Sequence, residues 1–82
     1  MNELVNQFKQ SVEEAQKAVI ESQGNGDQER FQKAQNMLLQ AKEQLREVEN
    51  SGVTDELTYI RAKTLLRKLE ETQHAIEGTI KF

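Results

Sequence analysis

The chain has 82 residues, 35% of them apolar, which is enough for one small domain with an economical core. It has no cysteine, which excludes disulfides, zinc fingers and thiolate-held iron–sulfur clusters. Eleven basic against 14 acidic residues give a net charge of −3, which argues against gripping nucleic acid through a surplus of positive charge.

Proline and tryptophan are absent, and the good helix formers Ala, Leu, Gln, Glu and Lys dominate. No apolar run approaches the roughly 20 residues that cross a bilayer. The start Met1-Asn2-Glu3-Leu4 lacks the basic stretch and apolar run of a secretory signal. The expected location is cytoplasmic, without membrane contact.

The first predicted helix covers about 2–22. Its apolar stripe, Val5-Phe8-Val12-Ala15-Val19, advances by alternating steps of three and four, so it follows one side of a helix. Asn2 is placed to cap it, and Gly24 to supply a left-handed residue at its end, with Gly26 releasing the chain into a turn.

Asp27 is the natural cap of a second helix over 27–50, with the stripe Phe31-Ala34-Leu38-Ala41-Leu45-Val48. Ser51-Gly52-Val53 reads as a tight connection. Thr54 is expected to cap a third helix over 54–77, with Asp55 and Glu56 in its first turn, where the helix dipole favours anions. Its stripe is Tyr59-Ala62-Leu66-Leu69-Gln73-Ile76-Ile80. Gly78 marks a stop near Glu77; alternatively the helix runs on to Ile80, which is in phase. Gln73 is the one strongly polar residue on a stripe. An edge position with its amide in water is expected, the alternative being a buried amide that sets register. Tyr59 is read as core with a wet hydroxyl.

Three helices of equal length with short connections predict an all-α, up-down-up antiparallel three-helix bundle with left-handed coiled-coil-like packing, a single domain over 1–82. Leu38, Leu45, Leu66 and Leu69 should be deep in its core. Met1 should lie near Val53 at one pole, and Phe82 near the glycine-rich loop at the other. A helical hairpin that dimerises, with residues 51–53 helical, is the competing architecture; the monomer is favoured.

Catalytic chemistry finds little foothold. The lone His74 lies about 130° from the centre of its stripe and faces water. Glu70 and Glu71 precede it by one turn, but Glu70 and His74 alone make a poor metal site. The neighbours Glu13-Glu14 and Glu70-Glu71 point about 100° apart and do not converge. Gly24-Asn25-Gly26 lacks the strand and the basic ending of a phosphate loop. No cofactor or metal is expected, and the chain reads as a non-enzyme. Glu13–Lys17 and Glu29–Lys33 have the spacing of supporting surface pairs.

Function is sought instead in apolar residues off the stripes. Leu39 lies about 140° and Ile60 about 170° from their stripe centres, and Ile20 about 100°. Leu39, Lys42 and Arg46 share one spacing with Ile60, Lys63 and Arg67: an apolar residue, then cations three and seven places on. Each set forms an outward line suited to an amphipathic, acidic partner helix or to self-association. The expected function is a small protein–protein interaction module or adaptor whose partner is another protein. The alternatives are a nucleic-acid-associated helical protein using the strip Lys42, Arg46, Lys63 and Arg67, or a homodimeric helical hairpin with a structural role.

Overall fold

The structure, a computed structural model, describes residues 3–24 and 27–79, apart from the side chains of Ile76 and Thr79. Expectations for Met1, Asn2, Gly26, Ile80 and Phe82, and for burial of the Ile76 side chain, lie outside the described residues. Three helices make up the fold: α1 (Glu3–Gly24), α2 (Gln28–Ser51) and α3 (Leu57–Thr79). Among the described residues there is no strand, and no helix is long and apolar enough to cross a membrane.

The three stripes meet as the core. Val5, Phe8, Val12, Ala15 and Val19 are at most 1% exposed. From α2 come Phe31, Ala34, Leu38, Ala41 and Val48, and from α3 Tyr59, Ala62, Leu66 and Leu69, all buried. Each large apolar side chain among them stabilises the fold by about 1.5–3 kcal/mol. Leu45 departs from expectation. It packs only half-buried against the core margin, as the sparse packing of α2 on α3 leaves it incompletely covered.

Helix α1 is the spine. It packs extensively on α2 and well on α3, whereas α2 and α3 touch each other sparsely. A helix with two neighbours needs a wider buried face, and that of α1 extends beyond its stripe to Ala18 and Ser22. The buried Ser22 hydroxyl donates to Val19 O at 2.8 Å, which satisfies it inside its own helix. The small residues Ala15, Ala34 and Ala41, fully buried, let the α1 and α2 backbones approach closely.

The helix ends show where tertiary distance overrides local signals. Asp27 caps α2 as expected, its carboxylate accepting from Arg30 N at 2.8 Å. Gly24 stays helical and does not serve as a left-handed terminator. That conformation falls at Gly52, φ 82°, whose N–H donates to Glu49 O at 3.2 Å. Gly52 also interrupts the continuous α2–α3 helix that a dimeric hairpin requires.

Helix α3 starts at Leu57, not at Thr54. Its first backbone bond runs from Ile60 N to Glu56 O at 3.1 Å, so Glu56 holds the cap position. The reason is reach. Helix axes lie about 8–10 Å apart, and an extended residue spans about 3.3 Å against 1.5 Å in a helix. Residues 53–56 leave the helical path to make this crossing: Thr54 N donates to Gly52 O at 3.1 Å, which turns the chain at Val53, and Val53 packs partly into the core. At the far end α3 runs through Gly78 to Thr79 and does not stop at Glu77.

Candidate functional site

Two ion pairs fix how α2 and α3 face each other. Lys42 Nζ lies 3.5 Å from Glu70 Oε2, and Lys63 Nζ lies 2.9 Å from Glu49 Oε2. Residue 42 is therefore level with 70 and 49 with 63, an antiparallel register. The same seam carries a Tyr59 hydroxyl donating to Glu49 Oε2 at 2.8 Å, and Gln73 Nε2 donating to Phe31 O at 3.1 Å. Every one of these bridges is made by a long polar side chain, as sparse packing between two helices requires.

This register places the six sequence-derived residues. Leu39 is 57% exposed, Ile60 47%. Leu39 is level with Gln73, and Ile60 with Gly52, so about 20 Å of helix separates the two. Leu39 and Ile60 thus stand at opposite ends of the set, with Lys42, Arg67, Arg46 and Lys63 at the levels between them. Leu39, Lys42 and Arg67 come together along a trough between α2 and α3. Ile60 and Lys63 belong to the pole near the 52–56 connection. Exposed Arg46 lies one turn beyond Lys42, outside the trough. Lys42 and Lys63 are tied to carboxylates, whereas Arg46 and Arg67 make no ion pair among the described residues.

The trough has a volume of about 420 Å³. Leu38 and Gln73 line its floor, and Gln35, Lys42, Arg67, Glu70, Glu71, His74 and Glu77 contribute to its walls and ends. Gln73 overturns the edge position expected for it: it is 2% exposed. Its Nε2 reaches the α2 backbone, while its Oε1 is buried without a hydrogen-bond partner. An orphan buried carbonyl costs about 1–3 kcal/mol, so it calls for an explanation. His74 is exposed as expected, on the trough wall. Glu70 turns to Lys42, not to His74.

Electrostatics at the other pole is simple. The Glu49 carboxyl is held below its ordinary value, first by the hydrogen bond from Lys63 and then by that from Tyr59. Lys63 is pushed up, chiefly by its hydrogen bond with Glu49. Its ammonium also sits 5.7 Å from the Tyr59 ring centroid, within cation–π reach. The tyrosine hydroxyl, expected to be wet, is engaged in this triad. Glu13–Lys17 and Glu29–Lys33, expected as surface pairs, do not close to ion-pair distance. Their side chains extend into water, where such a pair offers only tenths of a kcal/mol against side-chain entropy.

Sequence reasoning missed Leu57, as exposed as Leu39 and one turn before Ile60 on α3. Its spacing of three from Ile60 was available as a signal. It also missed the trough, whose acidic wall residues are ordinary on any helix surface. Among the described residues no three of His, Asp or Glu converge to hold a metal ion. Comparison with protein-family models, curated proteins and solved structures finds no match in any of the three.

Proposed function

We propose that this chain is a non-catalytic protein–protein interaction module, an adaptor that meets another protein along the α2/α3 trough and is itself monomeric and cytoplasmic. The observation that carries this reading is the trough itself. It is a concave seat between two sparsely packed helices, with an exposed Leu39 on its margin. The non-catalytic part is supported by the perturbed groups. Glu49 and Lys63 are committed to each other and to Tyr59 in an exposed ion pair, not held free in a cleft.

The nucleic-acid alternative is weakened by the same geometry. Two of its four cations, Lys42 and Lys63, are matched by the carboxylates of Glu70 and Glu49, which leaves only Arg46 and Arg67 of that strip as unpaired positive charge among the described residues.

The test is photo-cross-linking in the native host, with benzoylphenylalanine replacing Leu39 in one variant and Ile20 in another. The expected result is a defined partner captured from position 39 and not from position 20. Binding of that purified partner should then be lost in Leu39→Asp with the helical content unchanged. No capture at 39, or binding that survives Leu39→Asp, overturns the proposal.

A further inference from the structure

Resting on that reading, we infer that the trough seats one amphipathic helix of a partner protein, parallel to α3, which brings a hydrogen-bond donor to Gln73 and charged ends opposite in sign to Arg67 and Glu77.

A helix is the occupant that the packing calls for. Helices α2 and α3 both lie on α1 and hardly on each other. Two helices that meet over a third mainly through long polar side chains leave a groove along their seam, the place a further helix takes in a four-helix arrangement. The occupant can be specified further. Gln73 lines the trough with an amide whose Nε2 donates one hydrogen bond, to Phe31 O, and whose Oε1 is unpaired. A partner side chain with N–H or O–H can meet that oxygen once the floor yields slightly, and the orphan's cost is then relieved only in the complex.

Charge sets the ends. Arg67 is exposed and without an ion pair among the described residues, and so is Glu77, about 15 Å further along α3. Lys42 is already matched by Glu70. The occupant therefore carries an acid opposite Arg67 and a base opposite Glu77, about ten residues apart. An acid in its first turn and a base in its last also suit its own dipole, which sets the direction parallel to α3.

The probe is a synthetic helical peptide of about 16 residues. It has a leucine stripe, a glutamate in the first turn, an asparagine six places on and a lysine four places after that. A second peptide has leucine for the asparagine. Titration is followed by the backbone amide signals of α2 and α3 in nitrogen-15 NMR, with wild type, Gln73→Leu and Arg67→Glu each checked for folding by its spectrum, and by the Gln73 side-chain amide where that residue is present. The asparagine peptide should bind wild type better than Gln73→Leu, and the leucine peptide should reverse that order. Arg67→Glu should weaken the asparagine peptide by about tenfold or more, less so at high salt. Absence of a saturable shift at Gln73, an unchanged preference order, insensitivity to Arg67→Glu, or self-association of the chain in place of peptide binding overturns the inference. No capture from position 39, with both peptides inert, overturns both the trough inference and the placing of the adaptor surface. Capture from position 39 with inert peptides overturns this inference and leaves the adaptor reading standing.

Discussion

Replacing Gln73 by leucine should stabilise the protein, although it deletes a hydrogen bond. The lost bond, Nε2 to Phe31 O, is a neutral interaction with a net value of about 1 kcal/mol. Phe31 O lies inside α2 and keeps its place in the helical hydrogen-bond ladder. Against that loss, the substitution removes the buried, partnerless Oε1, whose desolvation costs about 1–3 kcal/mol. Leucine is close in size and leaves little cavity. The balance is a gain of about 0–2 kcal/mol, or up to about 15 °C at the 4–8 °C per kcal/mol of a domain this small. Thermal and urea unfolding by circular dichroism measure it, with Gln73→Ala as the cavity control, expected to lose stability. If Gln73→Leu instead lost more than about 1 kcal/mol, Oε1 would have a partner and the argument for an orphan amide would fail.

Truncation of Leu66, 1% exposed at the centre of α3, should cost about 2–5 kcal/mol. A domain of this size has about 3–5 kcal/mol in all, so the urea midpoint of Leu66→Ala should fall towards zero; an unchanged midpoint would remove Leu66 from the core. Two glycines should respond oppositely. Gly52→Ala forces a Cβ at φ 82° and should cost about 1–2 kcal/mol, whereas Gly78→Ala, helical and with open space around it, should gain up to about 1 kcal/mol. Equal signs in chemical denaturation would contradict the assigned backbone. The Glu49–Lys63 pair predicts a pH window. The depressed Glu49 contributes stability above its ordinary value of 4.5, lost as pH falls through its folded value. The raised Lys63 contributes below 10.5, lost as pH rises through its folded value. The melting-temperature advantage of wild type over Glu49→Gln should thus be present at pH 7 and shrink at both extremes; a pH-independent difference refutes the pairing.

The bundle was legible in the sequence because burial has a period. Val5 to Val19, Phe31 to Val48 and Tyr59 to Leu69 each fall on one side of a helix, and short connections leave few ways to pack three such sides. Asp27 was legible because a cap acts within three residues. The start of α3 was not. Thr54-Asp55-Glu56 is a good local starting signal, but crossing from α2 to α3 takes non-helical chain, and that distance is a tertiary quantity. Gln73 was half legible: its position on the stripe pointed inwards and its polarity outwards. What decided was Phe31 O, 42 residues away. The candidate surface suffered the same way. The spacing of Leu39, Lys42 and Arg46 matches that of Ile60, Lys63 and Arg67, but periodicity within a helix says nothing of register between helices. That register pairs Lys42 with Glu70 and Lys63 with Glu49, and carries Leu39 and Ile60 to different levels of the bundle.

The side-chain amide of Gln73 reports on the seam that all of this rests on. In nitrogen-15 NMR of the free protein its two amide protons should be resolved, slow to exchange with deuterium and in contact with Phe31 of α2. Fast exchange, with no contact across to α2, would return Gln73 to the edge of the bundle and leave the trough without its floor.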